Sequence, residues 1–357
     1  MKYVRHLACM AALIIALLPA TASALVILQY HHISESTPAA TSTSPARFVR
    51  HLELIEAAGF AVVSLPQVLA ALESEQPLPD KTVLITFDDA YESIYSVAHP
   101  LLKTRGWPYV VFVSTDAVDS RARHMMTWDQ LQQMSREGAA MANHSRTHGH
   151  LVRRTGALTD DQWATQVMAD IEQAEARIKA QTGHGYRAFA YPYGESNQAL
   201  QTLLDQAGYV AFGQQSGPAT RRDKLALARF PMGGDYGDDA DFTLKLRTLP
   251  LPYEGFRLQT GTGADLPDGV LARADRPVLS YQLPASIAGQ VRCYVSGQGL
   301  AQAHQADAGW VAFQAGRPLA PGRSRYNCTA PAGKGRFYWH STAFLRPKDD
   351  GNWPFEP

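Results

Sequence analysis

The sequence lacks the features that mark several large classes of protein. Its 33 Lys and Arg balance 33 Asp and Glu, and no basic stripe stands out. This argues against nucleic acid as the main partner, because phosphate binding requires clustered positive charge. There is no repeat of solenoid length, no dinucleotide-binding glycine fingerprint and no Gly-x-Ser-x-Gly elbow of a serine esterase. What remains is an ordinary globular composition over 357 residues, enough for one large domain and a smaller one.

The N-terminus has the pattern of an export signal. Lys2 and Arg5 precede an apolar run from Leu7 to Leu18, and the small residues Thr21–Ala24 follow. This order is typical of a secretory signal peptide cleaved after residue 24. An uncleaved membrane anchor is the alternative, but the run is shorter than the ~20 residues that a span needs. We therefore expect an exported protein, periplasmic or secreted, without a membrane span after cleavage.

Cysteine is scarce, and cleavage would leave only Cys293 and Cys328. Two cysteines in an exported chain most simply form a disulfide, with two buried free thiols as the alternative. Both lie in a region, from about residue 260 onward, where Gly, Pro and Ser are frequent and short β-type runs replace helices. We therefore expect a signal peptide at 1–24, a barrel at 25–260, a linker at 261–276 and a small β domain at 277–357.

Before residue 260, short apolar runs alternate with segments of helical periodicity. Such alternation predicts parallel strands joined by crossover helices. The predicted strands are Leu25–Tyr30, Phe60–Val63, Val83–Phe87, Tyr109–Val113, Ala139–Asn143, Ala188–Tyr191 and Tyr209–Gly213. The predicted fold class is therefore α/β: a distorted (β/α) barrel of about seven parallel strands, followed by a small C-terminal antiparallel β domain.

Polar residues cluster directly after four of these strands. His31-His32 follows the first strand, Asp88-Asp89 the third, His144 the fifth and Pro192–Gly194 the sixth. Because the active sites of (β/α) barrels are built at the carboxyl ends of the strands, we expect these clusters to lie together.

The clusters contain the ligand types of a catalytic metal site. On its own, an aspartate pair is commonly a turn or a helix cap, and two histidines four residues apart commonly form a solvated face. Together, His144, His148 and one carboxylate supply three ligands and leave the remaining positions open to water and substrate. The other aspartate is then free to act as a base, because a metal lowers the pKa of bound water and polarises a carbonyl.

Three segments carry a specific resemblance. Thr86–Asp89, His144–His148 and Tyr191–Gly194 resemble, in order and spacing, the leading motifs of the polysaccharide deacetylase family, carbohydrate esterase family four, also called the NodB-homology domain. The resemblance covers roughly residues 25–235. The opening Gln29–Ile33 is similar to that of the exported branch that deacetylates poly-N-acetylglucosamine in biofilms.

The resemblance implies an activity and roles for the site residues. The activity is hydrolysis of N-acetyl groups from an N-acetylhexosamine polysaccharide, with Asp88 as the general base. It implies Asp89, His144 and His148 as ligands of a divalent metal, usually zinc, with cobalt or nickel also accepted. The backbone N–H of Tyr193 would help to hold the tetrahedral oxyanion.

The sequence departs from the family pattern at the residue that orients the base. The family often has an arginine just before its Pro-Tyr-Gly, whereas this chain has Ala190-Tyr191 there. Arg187, nearby in sequence, and Arg229, on a later strand, are the two alternatives for that role.

The second departure concerns the general acid. The family usually supplies it from a late Leu-x-His motif, and no histidine lies between residues 213 and 254. His31 or His32 could substitute, since the first strand also ends at the mouth of the barrel; a structural, hydrogen-bonded histidine is the alternative.

Two other functions are weighed against a deacetylase. One is a catalytically inactive barrel with a carbohydrate-binding β domain, in which Phe337–Trp339 would stack on sugar, although core packing explains that segment better. The other is a glycosidase, which Asp88 and Asp89 fit poorly because adjacent strand residues point to opposite faces. By resemblance alone, poly-β-1,6-N-acetylglucosamine is the first substrate expected, with peptidoglycan and chitin-like oligomers open.

Overall fold

The computed structural model describes residues 24–74, 78–154, 158–305 and 309–355. The predicted signal peptide lies outside these residues, apart from Ala24. The first strand begins at Leu25, immediately after the predicted cleavage point. Within the described ranges, no helix is both long enough and apolar enough to cross a membrane.

The described residues form nineteen strands and nine α-helices. The strands are β1 (Leu25–Tyr30), β2 (His32–Ile33), β3 (Ser42–Thr43), β4 (Ala61–Val62), β5 (Thr82–Asp88), β6 (Tyr109–Val113), β7 (Ala139–Asn143), β8 (Ala188–Ala190), β9 (Val210–Phe212), β10 (Phe230–Pro231), β11 (Leu249–Pro250), β12 (Gly255–Gln259), β13 (Val278–Gln282), β14 (Arg292–Val295), β15 (Gly299–Leu300), β16 (Gln302–Gln305), β17 (Trp310–Gln314), β18 (Gly322–Gly333) and β19 (Arg336–Arg346). The helices are α1 (Pro45–Ala57), α2 (Leu65–Glu73), α3 (His99–Thr104), α4 (Thr115–Asp119), α5 (Trp128–Arg136), α6 (Asp160–Thr182), α7 (Gln198–Gln206), α8 (Asp239–Leu246) and α9 (Ala285–Ala288).

The barrel is built on one parallel sheet in the order β10-β1-β5-β6-β7-β8-β9, with β4 paired to the start of β5. All of its strand pairs are parallel. This confirms the predicted fold class. The sequence did not predict β10, because two residues are too short to show a periodic pattern.

A returning segment connects the two edges of this sheet. The N–H of Leu227 donates to the carbonyl oxygen of Ala211 at 2.8 Å, and the N–H of Gly213 donates to that of Leu227 at 2.9 Å. Three residues later β10 pairs with β1, through Leu28 and Phe230. The segment therefore contacts β9 at one end and β1 at the other, which rolls the sheet into a distorted barrel.

Both faces of the sheet are buried, as expected where helices cover a parallel sheet. All seven residues of β5 are buried. Val83, Ile85 and Phe87 belong to one apolar cluster, whereas Leu84 belongs to another. The strands are therefore largely apolar on both faces, and most of their polar side chains lie towards their carboxyl ends.

Local signals set the bounds of the longest helix. At the start of α6, the side chain of Thr159 accepts from the N–H of Gln162, whose side chain reaches back in a capping box. The helix ends at Gly183, where φ is +76° and a side chain would be strained. The spacing of Thr159 and Gln162 by itself predicts this capping box from the sequence.

The C-terminal β domain consists of two antiparallel sheets around its own apolar core. One sheet has the order β11-β19-β18-β14-β15, with β11 pairing parallel to β19, and the other has the order β12-β13-β17-β16. Cys293 on β14 and Cys328 on β18 lie directly opposite each other, are fully buried and form a disulfide. The predicted pairing is thus confirmed.

The strand pairing places some residues before 260 with the β domain. β12 pairs with β13 and β11 pairs with β19, whereas the preceding α8 packs on the barrel through Phe242, which stacks on His51 at 4.0 Å. We therefore propose that the β domain begins near Leu249 rather than at residue 277. The sequence estimate followed the change in composition, which comes later than the change in pairing partner. Within the expected linker, Asp265 bridges back to β12 and Val270 bridges to β19.

We predict that replacing both Cys293 and Cys328 with alanine lowers the free energy of unfolding by about 2–4 kcal/mol. The reason is that the disulfide closes a loop of 35 residues and restricts the unfolded chain. Urea denaturation of the mature chain, followed by tryptophan fluorescence, measures the change. An unchanged midpoint under oxidising conditions would contradict it.

Candidate active site

The residues singled out by the sequence meet at the carboxyl ends of the parallel strands. Asp88 is the last residue of β5, and His144 directly follows β7. His31 directly follows β1, and Tyr193 lies three residues after β8. Because these strands are neighbours in one parallel sheet, their carboxyl ends bring side chains distant in sequence into a single site.

Asp88 forms a buried ion pair with Arg229, and both side chains are inaccessible to solvent. Arg229 Nη1 donates to Asp88 Oδ1 at 2.7 Å and Nη2 donates to Oδ2 at 2.8 Å. Gln29 Nε2 also donates to Oδ2, at 2.7 Å. Burial alone raises the pKa of Asp88, but the adjacent guanidinium of Arg229 outweighs it and holds that pKa below its usual range. The carboxylate is therefore charged and fixed in orientation.

The position of Arg229 follows from the closure of the barrel. It directly precedes β10, which pairs with β1, and its Nε donates to the carbonyl oxygen of Gly213 at 2.7 Å. Arg187, the other arginine considered, precedes β8 and so lies at the opposite end of the barrel. There it forms an ion pair with Glu172. Of the two arginines, the structure brings only Arg229 to Asp88.

A second cluster, the ligand triad, consists of Asp89, His144 and His148. Asp89 Oδ1 lies 3.3 Å from His144 Nε2 and 3.1 Å from His148 Nε2. Each residue offers one ligand atom, and these atoms all lie within 4.8 Å of one another. Two imidazole nitrogens and a carboxylate oxygen are a common donor set of a catalytic zinc site.

The hydrogen bonding of the triad shows that it fits a cation. His144 Nδ1 lies 2.8 Å from the carbonyl oxygen of Ala190, so we assign the proton to Nδ1 and a lone pair to Nε2. That lone pair faces Asp89 Oδ1, and neither buried atom has a hydrogen-bond partner. Burial raises the pKa of Asp89, but the neighbouring imidazoles of His144 and His148 outweigh it and hold the pKa well below its usual range. A cation bound between them would satisfy both acceptors at once.

A tight loop, rather than a helix, brings the two imidazoles together. Asn143 Oδ1 accepts from the N–H of Ser145 at 2.9 Å, and Ser145 Oγ accepts from the N–H of His148 at 2.9 Å. Asp170, on α6, accepts from the N–H of Thr147 at 3.1 Å. The loop is therefore held by side chains at both of its ends.

Backbone strain is concentrated at this site. Ten non-glycine residues in the described ranges have a positive φ, and five of them are site residues. Those five are Asp89 (74°), Ala90 (67°), Ser145 (65°), His148 (55°) and Tyr193 (59°). Such conformations cost about 1–3 kcal/mol each and persist only where the surrounding structure enforces them. Here they direct the side chains of Asp89 and His148, and the turn at Tyr193, towards the same site.

The Pro192–Gly194 turn forms another side of the site. The N–H of Gly194 donates to the carbonyl oxygen of Tyr191 at 2.9 Å, and Tyr193 has left-handed φ and ψ values of 59° and 2°. The Tyr193 ring meets His148 edge-on at 4.7 Å and stacks on His150 at 3.9 Å. A side chain at Gly194 would come within 2.6 Å of the Cβ atom of Gln214. The turn therefore depends on glycine at that position.

The two histidines after β1 have different surroundings. His31 Nε2 lies 4.0 Å from Asp88 Oδ2, and burial lowers the pKa of His31. His32 instead stacks on Tyr91 at 3.5 Å, and burial together with His31 lowers its pKa to about 4. Successive residues of an extended chain point to opposite sides, so only one of the pair can face the base.

The sequence did not predict that Gln29 and Tyr91 belong to the site. Apart from Tyr30 at the end of the strand, Gln29 is the only residue of β1 with a polar side chain. A polar residue at that place in an apolar strand is the sequence signal that could have identified it as a site residue. Tyr91 gave no such signal; burial and the charge of Asp89 raise the pKa of its phenol.

Comparison with a family model identifies the central part of the barrel. Residues 75–212 match the family described as polysaccharide deacetylase. This range contains Asp88, the ligand triad and Tyr193, but neither His31 nor Arg229.

Curated relatives match over part of their length. The poly-beta-1,6-N-acetyl-D-glucosamine N-deacetylase of Escherichia coli strain K12 is 25% identical over an alignment 187 residues long, and the match covers 43% of this chain and 28% of that protein. The protein of the same name from Staphylococcus aureus strain MRSA252 is 23% identical over 171 residues, 47% of this chain and 59% of that protein. The match thus spans less than two thirds of either relative.

Solved structures share the fold of the barrel. IcaB from Ammonifex degensii superposes with a TM-score of 0.55 at 25% identity, covering 63% of this chain and 97% of that one. The Streptococcus pyogenes deacetylase PplD gives a TM-score of 0.54 at 23% identity, covering 61% of this chain and 96% of that one. The family match includes the strands that carry Asp88 and the ligand triad, and the solved structures share the fold around them, so residues 75–212 of this chain are similar to the polysaccharide deacetylase family.

Proposed function

We propose that this protein is an exported, divalent-metal-dependent N-deacetylase of an N-acetylhexosamine polysaccharide. The single observation that carries the proposal is the juxtaposition of a buried, charged Asp88 with a triad of converging ligand atoms. The names of the two curated relatives support poly-N-acetylglucosamine as the first substrate to test.

Asp89, His144 and His148 would hold the cation, and their donor set favours zinc, with cobalt or nickel as alternatives. A divalent ion bound there lowers the pKa of water and polarises the acetyl carbonyl. The hydrogen bond from His144 Nδ1 to the backbone fixes the orientation of the imidazole, which keeps its Nε2 available as a ligand.

Asp88 would act as the general base. Its Oδ2 accepts from both Arg229 and Gln29, whereas Oδ1 accepts from Arg229 alone among these donors. A carboxylate oxygen has two lone pairs, so Oδ1 retains one that can take the proton of the attacking water. Arg229 holds this carboxylate in place and stabilises its charge until the proton arrives.

The remaining roles fall to Tyr193 and His31. The backbone N–H of Tyr193 would donate to the oxyanion, since Tyr193 lies in a left-handed turn and its ring contacts His148 of the triad. We propose that His31, rather than His32, delivers the proton to the leaving amine, because only His31 lies beside Asp88.

The first test is acetate release by the mature chain from β-1,6- and β-1,4-linked N-acetylglucosamine oligomers. We expect release with added zinc or cobalt, and its loss with a chelator. Metal binding without release from any acetylated oligomer would contradict the proposal and favour an inactive carbohydrate-binding protein.

Asp88→Asn should lower kcat by about 10²–10⁴-fold while leaving metal bound, because the amide cannot accept the proton. Acetate release and metal content of the same preparation give both readouts. Asp205→Asn is the matched control, since Asp205 pairs with Lys224 on the surface. Undiminished turnover in the Asp88 variant would remove this residue from the base role.

His144→Ala should reduce metal affinity by more than about 100-fold. Loss of a residue that only hydrogen-bonds to a metal ligand already costs about 10–100-fold, and His144 is proposed as a ligand itself. Competition with a chromophoric chelator measures the affinity, and no catalysis is needed. His304→Ala, at an exposed position of the β domain, is the control. An unchanged affinity in His144→Ala would exclude His144 as a ligand.

A further inference from the structure

A series of contacts joins the segment that follows β19 to the Tyr193 turn. In this segment the N–H of Lys348 donates to the carbonyl oxygen of Asn352 at 2.7 Å, so the chain reverses direction there. Trp353 comes next and packs against the apolar cluster of the barrel that includes Val152. The segment therefore contacts the loop that continues from the two histidines of the ligand triad.

Arg153 is the residue of that loop to which the segment is bonded. Its guanidinium carbon lies 4.8 Å from the centre of the Trp353 ring, and its Nη1 donates to the carbonyl oxygen of Pro354 at 3.3 Å. The Arg153 side chain is only 6% exposed. A charge so far removed from water depends on such contacts for its orientation.

Arg153 also binds Glu195, the residue that directly follows the Tyr193 turn. Arg153 Nε donates to Glu195 Oε2 at 3.0 Å, and Nη2 donates to Oε1 at 2.5 Å. The Glu195 side chain is 1% exposed, and His150 Nδ1 lies 3.1 Å from its Oε2. Because the pair is bidentate, it fixes the planes of the guanidinium and the carboxylate relative to each other.

Two of these residues contact the turn itself. The His150 ring stacks on the Tyr193 ring at 3.9 Å, with an angle of 14° between the planes. The N–H of Glu195 donates to the carbonyl oxygen of Pro192 at 3.2 Å. Tyr193 is thus held both through its own side chain and through the residues on either side of it. We call the following four residues the clamp: His150, Arg153, Glu195 and Trp353.

The turn needs this support because of its backbone conformation. Tyr193 has a left-handed φ of 59°, which is unfavourable for a residue with a side chain and persists only where its surroundings enforce it. The φ angle sets the direction in which the Tyr193 N–H points. Relaxation of the turn would therefore change the direction of the N–H that we propose as the oxyanion donor.

We infer that the clamp positions the Tyr193 peptide group for the reaction, so that a segment of the second domain controls the oxyanion donor of the barrel. This inference rests on the proposed function and adds four positioning residues to it. An interaction with the oxyanion is made only in the transition state, so loss of the clamp should lower kcat and leave KM unchanged. Metal affinity should also stay the same, because Asp170 and Ala190 hold the loop and the ring of His144 independently.

The first experiment removes the outermost member of the clamp from the zinc-loaded mature chain. Trp353→Ala should lower kcat for acetate release by about 3–10-fold, because a small misplacement of a reacting group already slows catalysis. We expect KM and the zinc dissociation constant to stay within about twofold of their original values. Phe355→Ala is the matched control, since Phe355 is an aromatic residue of the same segment that is 91% exposed.

The second experiment breaks the bidentate pair. Arg153→Gln should lower kcat by about 10–100-fold, which approaches the cost of losing one oxyanion donor. Arg153→Lys keeps the charge but cannot bond to both carboxylate oxygens, so it should restore part of the rate. Arg154→Gln is the matched control, because the neighbouring Arg154 is exposed and pairs with Asp160. If Arg153→Gln does not fold, Trp353→Ala and Arg153→Lys still test the inference.

Hydrogen exchange measured by mass spectrometry gives a readout that needs no catalysis. The reporters are the amides of Gly194 and Glu195, which donate to carbonyl oxygens within the turn. In Trp353→Ala and Arg153→Gln, peptides covering residues 191–196 should exchange about tenfold faster, whereas peptides from β5 should not change. Phe355→Ala should leave both regions as they are.

The outcomes separate this inference from the proposed function. Unchanged exchange in the turn overturns the inference whatever the activity. Faster exchange with an unchanged kcat, in a chain that releases acetate, also overturns it and leaves the deacetylase proposal intact. A rise in KM or a loss of zinc affinity as large as the fall in kcat would assign the clamp to general stability and overturn the positioning role. No acetate release from the unmodified zinc-loaded chain would contradict the proposed function itself and, with it, any role of the clamp in catalysis.

Discussion

The buried ion pair between Asp88 and Arg229 is the interaction on which the candidate site depends. Neither charge could remain in the barrel alone, since removing one partner of such a pair costs about 3–5 kcal/mol. Arg229 reaches Asp88 only because the segment from Leu227 to Pro231 contacts β9 at one end and β1 at the other. The contacts that close the sheet therefore also place the guanidinium that keeps the Asp88 carboxylate charged. The pairing of β1 with β5 brings Gln29 to the second oxygen of the carboxylate.

The ligand triad adds a second constraint that works against stability. Asp89, His144 and His148 direct acceptor atoms at one another, and two of the three have a left-handed backbone. The protein sustains this arrangement through contacts behind it, notably Asp170 on the loop backbone and Ala190 on the His144 ring. A bound cation would neutralise the repulsion, so the strain in the loops is offset by the ion that the triad is built to hold.

The β domain contributes directly to the surroundings of the site. Its hairpin of β18 and β19 places Trp339 against Phe230 of the barrel core and places Arg323 against the Tyr193 turn. The turn proposed to bind the oxyanion therefore rests partly on the second domain.

The sequence by itself determined the features that depend on neighbouring residues. The parallel strands, the capping box at Thr159, and the motifs that carry Asp88 and the ligand triad were predicted because each is encoded within a few consecutive positions. The position of Arg229 rather than Arg187 beside Asp88, the separation of His31 from His32, and the pairing of β11 and β12 with β19 and β13 were decided only by the tertiary structure. Each depends on which strand lies beside which, and on which end of the barrel a residue occupies. That information belongs to pairing between segments distant in the chain, which no local pattern contains.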